Sequence, residues 1–311
     1  MTAYVMSTSR DAKFYHTGEA EKANYSRKSF RSKPPPHEER DVIAWDMEGI
    51  SLSGQEKPQH AVLFGCSMEP NMALYGKRLT SREMLEYIIS VGERHPHAVH
   101  VGYAFKYDAN MLVAGLSDRH ILKLWKTGQV SFRFCTDFVW SIRWVPGKMF
   151  TVTKRWGLRR NTRAKVSVTI YDFFSFFGKS FIKTMEEILG NELTDDDREV
   201  IAHGKAARGH QDWSDFPSIR YYWEREIVLM RRTFEKFRDV MYRAGFGLTQ
   251  WYGPGALANY INASKGIRPH LSGVQVSRDE RGSGFHEGFP EPVHVASKHA
   301  FSGGRFELFQ A

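Results

Sequence analysis

Apolar and polar positions divide this chain into a polar start, a strand-rich middle and a helical later part. Residues 1–40 are polar and basic and close on RSKPPPHEER, where Pro34-Pro35-Pro36 stops any helix or central strand. This pattern predicts a flexible arm. From Val42 the apolar run in DVIAWDMEGI predicts a first strand, and AVLFGCS and MALYG predict two more. SREMLEYIISVGERH repeats its apolar positions with the 3.6-residue period of a helix. AVHVGYAF reads as a buried strand, and KYDANMLVAGL as a helix directly after it. Within residues 130–171, VSFRF, FVWSIRWV, MFTVTKRW and VSVTIYDFF alternate with period two, which predicts an antiparallel set. Helical periods follow in KSFIKTMEEILG, in TDDDREVIAHGKAARG and in a long stretch from about Pro217 to Ala244. The later GSGFHEGFPEP reads as a loop, and no internal repeat is visible. Together these elements predict an α/β fold, a mixed β-sheet flanked by helices.

Charge changes this picture more than composition does. The 311 residues carry a net charge of +9 with a pI near 9.4, a balance that favours polyanionic partners. Aromatics at 14% offer surfaces for stacking bases, although a Phe-rich core explains them equally well. KRWGLRRNTRAK packs six basic residues into one predicted hairpin turn, and Arg159 and Arg160 are read as DNA-backbone contacts. No apolar run reaches the roughly 18–20 residues of a membrane helix, so no membrane partner is expected. The N-terminus lacks the apolar core of a secretory signal. Cys66 and Cys135 are too few for a disulfide framework or a four-thiolate zinc site. A reducing interior, cytoplasmic or organellar, is therefore expected. His95, His97 and His100 lie close in sequence and read as a surface loop rather than a metal site.

The candidate chemistry is acidic. Asp46 and Glu48 sit two apart at the end of the first predicted strand, so both project from one face. Two acids in a half-buried place repel each other, and divalent cations relieve that repulsion. A solvent-facing pair at a strand end is the alternative. Asp108 opens the helix after a buried strand, a position where acids also serve as caps. Tyr222 and Glu226 are four apart, hence neighbours on one face of the long helix. Trp223, Ile227, Met230, Phe234 and Phe237 form the predicted buried stripe of that helix.

In that order, a strand-borne D-x-E, an aromatic-Asp opening a helix and Y-x-x-x-acid on a later helix resemble the three exonuclease motifs of family B DNA polymerases. The likeness is to the viral, plasmid and organellar branch, with its protein-primed and mobile-element polymerases. YDFFSFFGKSFIKTMEEI, WYGPGALANYI and the final AFSGGRFELF are similar to further family segments, the last to the connector before the palm. The resemblance covers roughly residues 40–311. It implies an RNase H-like sheet of the DEDDy exonuclease type over 41–245, followed by a linker and the start of a polymerase region over 246–311.

By that resemblance Asp46, Glu48, Asp108 and Glu226 would bind two Mg²⁺ or Mn²⁺ ions, and Tyr222 would orient the attacking water. Lys205 would face the scissile phosphate. Tyr103, Phe105, Tyr107, Phe173 and Phe174 would lie near a single-stranded DNA 3′ end. The chain departs from the family pattern at Glu226, where Asp is usual, and at Ala104, where many members carry Asn. Phe173-Phe174 replaces a Ser/Thr-Leu pair, and Phe301 replaces a connector Tyr. No palm motif follows, so the expected activity is proofreading hydrolysis of DNA 3′ ends without polymerisation, beside a separate or missing palm. A stand-alone DEDD nuclease and a catalytically silent nucleic-acid-binding domain are the competing expectations.

Overall fold

A computed structural model of the chain describes residues 36–51, 59–156, 165–207, 213–264, 276–278 and 284–286. The chain divides into two units after Leu257. Ten strands and seven α-helices are described. In the first unit they are β1 (Val42–Ser51), β2 (Gln59–Cys66), β3 (Leu74–Tyr75), α1 (Ser81–Arg94), β4 (Val99–Gly102), α2 (Lys106–Val113) and α3 (Asp118–Thr127). β5 (Gln129–Phe132), β6 (Phe138–Val145), β7 (Met149–Trp156) and β8 (Lys165–Asp172) follow, then α4 (Phe181–Leu189), α5 (Asp195–Ala207) and α6 (Phe216–Arg243). α7 (Pro254–Ser264) crosses the division, and the second unit holds the hairpin of β9 (Val276–Arg278) and β10 (Gly284–His286). GSGFHEGFPEP thus contains a short strand and is not wholly loop. Among the described residues no helix is long and apolar enough to cross a membrane.

The sheet is mixed and eight-stranded, in the order β3-β2-β1-β4-β8-β7-β6-β5. β1, β4 and β8 run parallel in its middle, with Ala44 opposite Val101 and Gly102 opposite Asp172. Their C-terminal ends therefore open on one edge. β5 to β8 form the antiparallel set that the alternation predicts. The fold is α/β with helices flanking the sheet, an arrangement compatible with an RNase H-like fold.

Each face has its own apolar layer. On one, Ile43, Trp45 and Met47 of β1 and Phe64 and Cys66 of β2 meet Met84, Leu85 and Ile88 of α1. α1 begins with a capping box, Glu83 N–H donating to the Thr80 hydroxyl at 3.3 Å while Thr80 N–H donates to the Glu83 carboxylate at 2.8 Å. On the other face α6 buries Trp223, Ile227, Met230, Phe234 and Phe237, the stripe read from the sequence. Trp251 is fully buried among Phe234, Phe237 and Phe176, so the first unit extends past residue 245.

The three histidines at the start of β4 do not converge. His95 meets the Glu69 carboxylate at 3.1 Å, while His100 is buried and accepts the Trp45 indole N–H at 3.0 Å. Burial, with His95 adding to it, pushes the His100 imidazole down to about 3 from 6.5. The folded protein thus keeps His100 neutral where the unfolded chain takes up a proton below about 6.5. Its stabilising contribution is complete above that pH and is lost as pH falls from 6.5 toward 3, by roughly 1.4 kcal/mol per unit. His100→Gln keeps an acceptor for Trp45 but does not titrate. Urea unfolding at pH 7 and pH 5 is expected to show wild type losing about 2 kcal/mol more than this variant. Equal losses would contradict the assignment.

Candidate metal centre

The acids of β1 owe their position to the strand pleat and to two glycines. Asp46 and Glu48 point to the α6 face, opposite Trp45 and Met47, and both are buried. Opposite Asp46 on β2 stands Gly65, where an added Cβ would lie 2.7 Å from the Trp223 ring. The missing side chain lets Trp223 press onto the sheet and donate its indole N–H to the Asp46 carbonyl at 3.2 Å. This contact fixes α6 over the end of β1. Immediately after Glu48 the β1–β2 register shifts. At Gly49 an added Cβ would lie 2.5 Å from the Tyr107 hydroxyl, so the start of α2 reaches over the same stretch of β1.

One turn beyond Trp223, Glu226 is buried, and it meets the β1 pair. Ligand oxygens of Asp46, Glu48 and Glu226 all lie within 4.8 Å of one another. At that separation each pair of ionised carboxylates repels by roughly 3 kcal/mol at an effective dielectric of about 20. A set of three hard oxygen donors with this spacing suits a divalent cation better than the soft or nitrogen-rich sites of zinc and copper. The trio is therefore a buried acidic cluster able to hold a metal ion.

Asp108 stands outside that trio. It is buried in the first turn of α2, whose N-cap residue Phe105 makes no side-chain cap. Tyr222, one turn before Glu226, is buried against α5. Gly204 makes that approach possible, because a Cβ there would sit 1.9 Å from the Tyr222 ring. α5 is tied to α6 through Arg225, which pairs with Asp196 and, at 3.3 Å, with Asp197. Lys205 follows Gly204 and holds its ammonium 5.4 Å from the centre of the Phe181 ring. Gly204→Ala raises helix propensity by about 1 kcal/mol, yet the clash with an immobile ring costs more. Net destabilisation of about 1–2 kcal/mol is expected in urea unfolding, and a stabilised variant would contradict the packing of α5 on Tyr222.

The aromatic residues divide sharply. Tyr103 is buried, donates to the Lys179 carbonyl at 2.7 Å, lies 2.6 Å from the Thr184 hydroxyl and packs edge-on to Phe173 and Phe174. Phe105 is buried over Gly102 and near Phe150, and Phe173 is buried between Tyr103 and Phe234. These three rings are packed in the core and expose little surface to a stacking base. Phe174 is half-buried and Tyr107 is 40% exposed, so only these two of the five offer surface. Arg159 and Arg160 lie outside the described residues.

Asp172, a residue the sequence reading did not place in the site, organises the neighbouring loop. Its carboxylate accepts Phe105 N–H at 3.0 Å and Phe174 N–H at 3.2 Å. Burial pushes this carboxyl up, and the backbone N–H groups pull it back. Between β4 and α2 the chain passes through Ala104 at φ 52°, a left-handed conformation that costs a non-glycine residue roughly 1–2 kcal/mol. Asn tolerates that conformation, which gives a physical reason for the Asn expected there by resemblance. An Asp closing a parallel strand next to such a loop was the available signal. No family profile, curated protein or solved structure matches the chain.

Proposed function

We propose that this chain is a metal-dependent 3′→5′ exonuclease with an RNase H-like fold, of the kind that precedes the palm in family B DNA polymerases. Its substrate is the single-stranded or frayed 3′ end of DNA. The observation that carries the reading is the meeting of Asp46 and Glu48 from β1 with Glu226 from α6, one turn from Tyr222. Glu226 is far from the Asp46–Glu48 pair in sequence, and their meeting supports the reading for the first and third motifs; Asp108, of the second, stands outside the trio.

In this reading Asp46, Glu48 and Glu226 hold one Mg²⁺ or Mn²⁺, and Asp108, on the helix that leans over Gly49, serves a second. When bound, the two ions neutralise phosphate charge and acidify water toward neutral pH. The chain's own groups do the rest. The Tyr222 hydroxyl orients the water whose oxygen bonds to phosphorus as the bond to the 3′ oxygen breaks. Tyr107, exposed beside the acids, is the ring on which the terminal base rests. Because Tyr103, Phe105 and Phe173 are withdrawn into the core, the grip on the last bases is weak and rests on Tyr107 and Phe174.

Asp108's absence from the trio favours one rival, a silent nucleic-acid-binding domain that keeps the fold. A 5′-labelled single strand of DNA, and an RNA of the same sequence, separate the possibilities. The proposal expects a ladder shortened one nucleotide at a time from the 3′ end, with Mg²⁺ or Mn²⁺ and on DNA in preference to RNA. Internal cuts, or an intact strand, would reject it.

A further inference from the structure

The net charge of this chain is concentrated in one part of the sequence. Between Gln129 and Tyr171 there are nine Lys and Arg and a single acid, Asp137, so the rest of the chain accounts for only +1 of the total +9. Six of these cations lie among the described residues, on β5–β8 or in the links between them, and Arg159, Arg160 and Arg163 lie outside the described residues. The inner face of the β5–β8 sheet buries Val130, Trp140, Ile142, Phe150, Val152 and Val168. Its outer face is a different surface. Ser131, Ser141, Thr153 and Ser167 stand opposite one another in a row across all four strands. Arg143 flanks that row on one side, and Arg155 and Lys165 flank it on the other. The three cations are exposed, and none has an ion-pair partner among the described residues.

Two features of this face suit an anion. Arg155 and Lys165 are directly opposed cross-strand partners, and like charges so placed destabilise a sheet. In the hydroxyl row, Ser131 meets Ser141 at 2.8 Å and Thr153 meets Ser167 at 2.9 Å. Each such pair has two O–H donors and uses one between its members, so a donor per pair remains to face outward. Cations bracketing hydroxyl donors on an open face match a run of phosphates, which accept from both. A bilayer would instead call for large apolar side chains among the cations, and this face puts hydroxyls there.

We infer that the outer face of β5–β8 binds the phosphate backbone of DNA. The surface is set apart from the β1 acids, because β4 and β8 lie between β1 and β5–β7, and Lys165 stands seven residues, or about 23 Å of strand, before the end of β8. It goes beyond the hydrolytic reading and stands even if the acids prove silent. Residues 157–164, which carry Arg159, Arg160 and Arg163, lie between β7 and β8 in sequence and outside the described residues.

The test is fluorescence anisotropy of a labelled DNA duplex with the full chain in EDTA, over a range of salt. Arg143→Gln, Arg155→Gln and Lys165→Gln, combined, are expected to weaken binding at least about tenfold and to lower the salt slope by about 3. The variant is also expected to melt at a higher temperature without DNA, because the Arg155–Lys165 repulsion is gone. Cleavage of a short single strand in Mg²⁺ should stay at the wild-type rate, which separates this surface from the acidic site. Unchanged affinity and slope would overturn the inference, as would binding to phosphatidylserine vesicles that the substitutions abolish while DNA binding persists.

Discussion

Replacing Asp46 by Asn and Glu48 by Gln together is expected to slow metal-dependent shortening of a labelled strand by about a thousandfold, equivalent to roughly 4 kcal/mol of transition-state stabilisation. DNA affinity in EDTA should not change. The size of the effect follows from burial: the carboxylates sit with Glu226 inside the protein, where no solvent counter-ion replaces them. The same substitution carries a stability signature of opposite sign. Neutralising two of three mutually repelling acids should raise the stability of the metal-free protein by about 1–3 kcal/mol. Added Mg²⁺ should then stabilise wild type and leave the variant where it was. Thermal melts with and without the ion read both changes. A variant less stable than wild type in EDTA would show that the acids are knitted into the fold for structural reasons.

Trp223→Ala should produce the largest loss of stability, about 3–5 kcal/mol, because a fully buried indole between α6 and the sheet leaves a cavity and orphans the Asp46 carbonyl. Activity should fall further than the folded fraction explains. Trp223 is the contact that holds Glu226 at the β1 acids, and a loosened α6 widens the trio. Trp223→Phe retains most of the ring and loses only the N–H bond, for which about 1 kcal/mol is expected. Urea unfolding together with cleavage rates of the two variants tests this. Rates proportional to folded fraction in both would mean that Trp223 packs without positioning.

The sequence makes the strong periods legible and leaves the close approaches hidden. The first strand, α1 and the stripe of α6 are readable because each is decided by one buried face. α3 escaped although Ile121, Leu124 and Trp125 fall at helical spacing; of these only Leu124 is buried, and Trp125 is 82% exposed. α7 escaped because Pro254-Gly255 reads as a turn, although Pro also suits a first helical position. The acids were legible as a motif because the pleat fixes the Asp46–Glu48 pair and the helical period fixes Tyr222 beside Glu226. That β1 and α6 meet is a tertiary fact, and it depends on Gly65, while Gly204 lets α5 close on Tyr222 of α6. Both glycines sit inside regular elements, a placement that signals close backbone approach. The burial of the aromatics was not legible, because a ring near an acid looks the same in sequence whether it faces solvent or core. Asp172 and the turn at Ala104 pull Phe105 inward, and that depends on the β4–β8 pairing, which no local pattern encodes.

Mn²⁺ titration by calorimetry is the most direct test of the central claim, that acids from β1 and α6 form one metal centre. Wild type should bind the ion, and Asp46→Asn and Glu226→Gln should each weaken that binding by at least about tenfold, or about 1.4 kcal/mol. Absence of Mn²⁺ binding by the folded protein, or equal affinity in wild type and both variants, would contradict it.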